Sequence, residues 1–305
     1  MDKNKFLKQH LNAAWLRPES ALWDAIASEH ISRHSIVNPS LDLGSGNGLF
    51  SFITAGGNFS IDYDWYRNVD PEGFWEQADI YDVCRINHLE SFITERPQYR
   101  YSYALDHKSN LLNQAQALGF YEKVMAHDAN QRLPFPDETF RTVFSNILYW
   151  LDDVKRSLGE IRRVLQKDGK AVLCVPNDKF FQYCFSYGWK ESGDELLRLL
   201  NRGRSDCMHA VFSYQDFKTM AESECFIVDD HQYYLSPLTL KIWDIGMRPF
   251  SPALIRMILK LSDEDRRSFK SEWMETAEKF CVPLLEKEAQ SRDEGGFHLF
   301  VLKKS

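Results

Sequence analysis

The 305-residue sequence is short of positive charge, of paired cysteines and of long apolar runs, and each shortage closes off a class of function. Thirty-seven Lys and Arg stand against 44 Asp and Glu, a formal net charge of -7. That leaves no basic field to hold a phosphate backbone, so no nucleic-acid partner is expected. The six cysteines (Cys84, Cys174, Cys184, Cys207, Cys225 and Cys281) lie far apart, with no C-x-x-C pair to build a metal or redox centre. Cys207 and His209 are close, but two ligands without a second pair read as ordinary residues, so no metal is expected and the thiols read as reduced. No run is apolar enough to span a bilayer, and the polar residues 1–10 lack an apolar signal core. The expectation is a soluble cytoplasmic protein with no membrane partner. Internal repeats and low-complexity tracts are absent too. What the chain does have is 44% hydrophobic and 14% aromatic residues, enough for a globular core and generous in rings.

The stretch Leu41-Asp42-Leu43-Gly44-Ser45-Gly46-Asn47-Gly48 organises the rest. Leu41 and Leu43 flank Asp42 as the end of a short buried strand, and the glycines that follow permit a turn too tight for side chains. A backbone bared in this way at the start of a helix, here from Leu49, offers N–H groups to the polar or anionic end of a ligand. The spacing is G-x-G-x-G, whereas the dinucleotide fingerprint needs its third glycine where Leu49 stands, which weighs against NAD.

Along the chain, residues 3–13 and 19–33 read as two helices split by Arg17-Pro18, with Trp15, Leu22, Trp23, Ile26 and Ile31 as an apolar stripe that lids one edge of a sheet. Strands are expected at 36–44, 100–106, 123–128, 140–146 and 171–175. Helices are expected between them from Leu49, over 109–118 and from Leu151 to Leu165. Beyond Asn177 a partly helical stretch leads to a helix at 214–222, a strand at 225–235, helices near 252–261 and 264–280, and a last strand at 297–303. This repeated β-α order implies a parallel sheet with helices on both faces and a ligand at the carboxyl ends of the strands.

One stretch neither alternates nor repeats. From about residue 58 to 99 the chain carries Tyr63, Trp65, Tyr66, Phe74, Trp75 and Tyr81 among Asp62, Asp64, Asp70, Glu72, Glu76, Asp79 and Asp82. An insertion of this length reads either as a solvated surface excursion or as a substrate-facing flap. In the second case rings would offer flat faces and carboxylates would take hydroxyls or an amine.

With LDLGSGNG (41–48), ALDHK (104–108), AHDANQRLPFPDETFRTVFSN (126–146) and EIRRVLQKDGKAVLCVPN (160–177) in this order, the chain resembles the class I S-adenosylmethionine-dependent methyltransferases. The likeness is to the type 11 small-molecule enzymes, such as those of quinone biosynthesis. It implies an α/β, Rossmann-like seven-stranded sheet with an antiparallel last strand, to which a mostly helical cap and an inserted flap are added here. It also implies a division into an N-terminal helical lid (1–35), an S-adenosylmethionine-binding core (36–177, with the 58–99 insertion) and a remainder (178–305) with a cap at about 236–294.

The resemblance further implies cofactor roles. Gly44, Ser45, Gly46 and Gly48 would pass under the methionine part with Asp42 steadying the loop. Asp106 would take both ribose hydroxyls, since one carboxylate can accept from two adjacent O–H groups. Asp128 would receive the adenine amino group while the Ala129 N–H donates to the ring, and Ser145 and Asn146 would lie beside the sulfonium. Two departures stand out. Gly48 to Asp106 is 106 − 48 = 58 residues, longer than one helix and loop require, and His107 follows the ribose acid, where it either stacks on adenine or faces solvent.

The function implied is methyl transfer from S-adenosylmethionine to O or N of a small polar acceptor, such as a sugar derivative or an amine. Two rival readings are an RNA or protein methyltransferase, disfavoured by the acidic charge, and a cofactor-binding regulatory subunit without turnover of its own. The oligomeric state stays open. In such chemistry the chief task is to hold the nucleophile about 3 Å from the methyl carbon in a dry pocket, because orientation can be worth roughly 7–11 kcal/mol. Tyr149 and Trp150 either wall the methyl side or pack under the following helix. Arg17 either reaches the cofactor carboxylate or stays solvated. His231, His209 and Asp64 are the conceivable bases.

Overall fold

Hydrophobic alternation along short strands, with an amphipathic helix after most of them, builds one seven-stranded sheet covered on both faces. The computed structural model describes residues 4–69, 89–192, 195–196, 208–291 and 293–305. In chain order the elements are α1 (Lys5–Ala13), α2 (Pro18–Ile31), β1 (Ser40–Leu43), α3 (Leu49–Thr54), β2 (Asn58–Phe59), β3 (Ile93–Glu95) and β4 (Tyr101–Asp106). They continue with α4 (Ser109–Ala117), β5 (Tyr121–Ala126), β6 (Phe140–Ser145), α5 (Val154–Val164), β7 (Leu165–Pro176) and α6 (Phe180–Tyr183). The chain closes with α7 (Tyr214–Ser223), β8 (Phe226–Tyr234), α8 (Pro237–Ile245), α9 (Ser251–Ile258), α10 (Asp263–Glu288) and β9 (Phe297–Lys304).

The sheet runs β5-β4-β1-β6-β7-β9-β8. Strands β5, β4, β1, β6 and β7 are mutually parallel, and β9, last in the chain, pairs antiparallel with both β7 and β8. Period-two alternation splits the strands between two cores. Leu41, Leu43, Val143, Leu173 and Val175 face α5 and α7, while Phe144, Val172 and Cys174 face the side covered by α1, α2 and α3. Asp42 lies between two leucines of the first set, so it points into the second face and is buried there.

Most boundaries fall near those expected, and the exceptions have local causes. β1 starts at Ser40 and not at 36, because Pro39 has no N–H to give a ladder and its carbonyl instead accepts from the Arg141 N–H at 2.7 Å. α5 begins at Val154, where the Asp153 side chain accepts from the Arg156 N–H at 2.9 Å and caps it. β5 ends at Ala126, two residues short of Asp128.

The insertion is where expectation and structure part. Its described portion is not structureless. β2 and β3 pair antiparallel, with 3-10 turns at Trp65–Asn68 and Leu89–Phe92. Tyr63, Trp65 and Tyr66 are buried: Tyr63 stacks on Phe59 at 4.4 Å between centroids, and Tyr66 meets Trp65 edge-on at 5.2 Å. Tyr63 and Trp65 are therefore core residues of the seam between the N-terminal helices and α10 and do not face a substrate. The acids of the seam are engaged as well: Asp64 pairs with Arg266 at 2.7 Å and Asp62 with Arg267 at 3.1 Å. Lys270 of α10 is buried and donates to Asn12, to the Ile61 carbonyl and to the Tyr63 carbonyl. Asp70, Glu72, Phe74, Trp75, Glu76, Asp79, Tyr81, Asp82, Cys84 and Cys207 lie outside the described residues. Among the described residues no helix is long and apolar enough to cross a membrane.

Candidate functional site

The glycine turn leaves the carboxyl end of β1 and closes on the ends of its neighbours. The N–H groups of Gly44 and Ser45 donate to the Leu105 carbonyl at 2.8 and 3.1 Å, and the Gly46 N–H donates to Asp106 Oδ2 at 2.9 Å. Gly48 N–H goes to the Ser45 carbonyl at 3.0 Å and Leu49 N–H to Asn47 Oδ1 at 3.2 Å. The donors of Gly44, Ser45 and Gly46 are thus spent on the end of β4 and those of Gly48 and Leu49 within the turn, which forms a shaped shelf.

Gly46 and Gly48 occupy the left-handed region, at φ 55° and 76°, where a side chain is strained. Their surroundings differ. A Cβ on Gly48 would sit 2.7 Å from the Tyr121 ring, whereas nothing lies within 4 Å of one on Gly46. The open side of the shelf is therefore at Gly46, and Asp106 borders it. That carboxylate is nearly buried, and its Oδ1 accepts from the Lys108 N–H at 2.9 Å. Each carboxylate oxygen holds one backbone donor and keeps capacity for one more, as a vicinal diol requires. Open space above Gly46 and a half-satisfied carboxylate beside it fit the ribose and methionine parts of S-adenosylmethionine, the cofactor of this fold's methyltransferases.

Asp42 stands beneath the shelf. It accepts from the Tyr121 hydroxyl at 2.7 Å, and Ser51 also bonds it. Burial pushes its carboxyl up to about 6, against the pull of those two hydrogen bonds. Tyr121 thus both supports Asp42 and packs under Gly48. Its position at the amino end of β5 gives no hint of either contact, and sequence reading missed it.

At the neighbouring strand ends, His127 N–H donates to the Asp106 carbonyl at 2.9 Å, which brings the loop carrying Asp128 and Ala129 alongside Asp106. Asp128 is exposed, with Oδ1 accepting from the Asn130 N–H at 2.8 Å. Ala129 lines a cleft of about 140 Å³ with Asn130, Asp152 and Arg156. Ser145 is buried and its hydroxyl donates to the Leu43 carbonyl at 2.9 Å, tying β6 to β1 just before the turn. Asn146 follows, half-buried, and Ile147 covers Gly44. His107 is largely exposed, its Nδ1 3.5 Å from Asp106 Oδ1.

Of the residues considered for the methyl side, Tyr149 is half-buried edge-on to Phe297 at 5.5 Å, while Trp150 is exposed. The candidate bases separate. Asp64 is held by Arg266 at 2.7 Å and by the Trp15 indole N–H at 3.0 Å, which makes it a structural anchor. His231 Nε2 is 2.9 Å from His298 Nδ1, and His298 Nε2 donates to the Phe212 carbonyl at 3.0 Å; burial lowers both imidazoles to about 4. That chain uses His231 to join β8 to β9. His209 remains exposed, with its backbone N–H on the Tyr149 carbonyl at 2.9 Å. Arg17 bonds Glu19 at 3.1 Å.

Residues 89–173 match the family model described as a methyltransferase domain. No curated protein matches the chain. Among solved structures, an S-adenosylmethionine-dependent methyltransferase of Thermotoga maritima is 12% identical at a TM-score of 0.47, over 92% of this chain and 89% of that one. Another, from Mesorhizobium loti, is 14% identical at 0.47, over 91% and 96%. The family match falls on the strands that end at Asp106 and Ser145 and on the loop that carries Asp128, so residues 89–173 of this chain are similar to a methyltransferase domain.

Proposed function

We propose that this enzyme transfers the methyl group of S-adenosylmethionine to O or N of a small polar acceptor. The observation that carries the cofactor half is the Asp106 carboxylate at 2.9 Å from the Gly46 N–H, which sets a two-oxygen acceptor at the rim of the open glycine shelf. On this reading residues 36–177 hold the cofactor, with the ribose on Asp106, adenine beside Asp128 and Ala129, and the methionine part over Gly44 to Gly48. His107 lies next to the adenine, and Ser145 and Asn146 lie below the sulfonium. The bound cofactor supplies an electrophilic methyl carbon, and the chain supplies orientation and exclusion of water. The acceptor half rests on charge: a net charge of -7 gives no field for a polynucleotide.

Calorimetry tests the cofactor half. The purified chain is expected to bind S-adenosylmethionine and S-adenosylhomocysteine, and Asp106→Ala to weaken both at least tenfold. A wild-type protein that takes up neither compound, or an Asp106→Ala variant of unchanged affinity, would end this reading. Transfer of labelled methyl to small hydroxylated or amine compounds, and not to bulk RNA or protein, tests the acceptor half.

A further inference from the structure

Two carboxylates border the glycine shelf, and no lysine or arginine among the described residues pairs with either. Asp106 stands at the rim on the Gly46 N–H, and Asp42 lies beneath, 1% exposed. The Asp42 carboxylate reaches the underside of the turn through a single hydroxyl, because the Tyr121 O–H that donates to it at 2.7 Å lies 3.1 Å from the place a Cβ on Gly48 would take. Ser51, in the first turn of α3, bonds the same carboxylate. Asp42 is thereby braced to β5 and to α3 directly below the turn.

The groups around Asp42 do not offset its charge. Asp106 on β4 repels it and adds to the upward push of burial on its carboxyl. Tyr121 on β5, Tyr101 on β4 and Tyr99 just ahead of β4 complete the titratable groups that face it, and burial raises all three phenols above their usual range, so they are neutral at pH 7. His107 is the one imidazole beside the pair, largely exposed and 3.5 Å from Asp106. A buried negative charge left uncompensated in this way is costly, and a positively charged occupant of the shelf relieves it. S-adenosylmethionine is such an occupant, since its sulfonium and ammonium outweigh its carboxylate. S-adenosylhomocysteine has lost the sulfonium and is neutral overall.

We propose that Asp42 determines the charge preference of the cofactor site: ionised, it favours the cationic S-adenosylmethionine over the neutral S-adenosylhomocysteine, and protonated, it does not. This rests on the methyltransferase reading above and adds a pH-dependent discrimination between cofactor and product at the same site. Asp42 acts through its field, which the dry interior screens poorly, and Tyr121 positions it. Its carboxyl is held at about 6, so it gains charge between pH 5 and pH 7. Over that interval the cationic ligand gains affinity relative to the neutral one, because it binds the ionised form more tightly.

The test is calorimetry on the full chain at pH 5 and pH 7, with S-adenosylmethionine and S-adenosylhomocysteine as separate ligands. In the wild type the ratio of the two affinities is expected to move at least fivefold toward S-adenosylmethionine as the pH rises. Asp42→Asn keeps an oxygen for the Tyr121 hydroxyl but carries no charge, and its ratio should change less than twofold. A residue that only steadied the turn would alter both affinities together and leave their ratio flat. A flat ratio in the wild type, uptake of S-adenosylhomocysteine alone at both pH values, or a swing that Asp42→Asn reproduces overturns the proposal. Asp106 and His107 are common to both proteins, so the difference between them belongs to Asp42. The wild-type comparison does not depend on any variant folding. A wild type that binds neither ligand overturns the methyltransferase reading instead.

Discussion

Arg266 Nε lies 2.7 Å from Asp64 Oδ2, and both side chains are only 8% exposed. The pair joins α10, near the end of the chain, to the insertion that follows α3. The Trp15 indole adds the N-terminal segment through Asp64 Oδ1, so three parts of the sequence remote from one another meet on one carboxylate. Removing one partner strands the other charge in the interior, which typically costs about 3–5 kcal/mol. Asp64→Ala is therefore expected to lower unfolding free energy by that order in urea titrations. The affinity of the folded fraction for S-adenosylmethionine should stay within twofold. A large loss of turnover with undiminished stability would restore Asp64 as a candidate base.

The glycine shelf yields a contrast between two neighbours. Both Gly46 and Gly48 have positive φ, so alanine costs about 1 kcal/mol or more at either through backbone strain. At Gly48 the added carbon also meets the Tyr121 ring, and Gly48→Ala should lose a further 1–3 kcal/mol or so as the ring is displaced. At Gly46 it enters open space. Gly46→Ala is expected to melt within a few degrees of the wild type yet to bind S-adenosylmethionine at least tenfold more weakly. The reverse pattern, with Gly46→Ala binding normally, would move the cofactor off this shelf.

Much of the sheet was legible because its signals are local. LDLGSGNG, the apolar run Ala171 to Val175 and the periodic leucines before Leu165 each declare an element within a dozen residues, and their order fixes the winding. The placement of Asp106 beside the glycine turn was legible because a strand end supplies the side chain. Contacts with a distant partner were not legible. Tyr121 reaches Asp42 across 79 residues of chain, and Arg266 reaches Asp64 across 202. The rings of the insertion misled for a related reason. Tyr63 packs between Phe59 and Phe92 and Tyr66 against Trp15, contacts that follow no helical or strand period, so no periodicity marks them as core. Trp23 is likewise an ordinary stripe residue until the fold sets it 4.5 Å from Trp243.

The paired imidazoles set an acid dependence. His231 and His298 titrate near 4 in the folded chain against 6.5 in the unfolded one. Between those values the unfolded chain binds protons that the folded chain refuses. Their contribution is complete above pH 6.5 and drains as the pH falls toward 4, by up to about 1.4 kcal/mol per pH unit for each proton. Asp42 and Asp24, raised to about 6 and 7, act in the opposite sense, because the folded form takes their protons first. His231→Gln retains a donor for His298 and removes one of the drains. Its unfolding free energy should fall less steeply than that of the wild type between pH 6.5 and 4.5. Parallel curves for the two proteins would deny His231 this part.

Tyr121→Phe isolates the support beneath the shelf. The ring remains under Gly48, so packing is conserved, and only the hydroxyl that donates to Asp42 at 2.7 Å is lost. A donor removed from a buried carboxyl costs about 1–3 kcal/mol, and more when the acceptor is ionised. Asp42 titrates near 6 when folded and near 3.8 when unfolded. Above pH 6 the folded chain carries a buried carboxylate that needs the hydroxyl most, whereas at pH 5 the group is largely protonated and loses less. The destabilisation of Tyr121→Phe is therefore expected to grow from pH 5 to pH 8 in denaturant titrations. A penalty that is flat across that range would mean that Asp42 does not change its charge there, and that Ser51 alone sustains it.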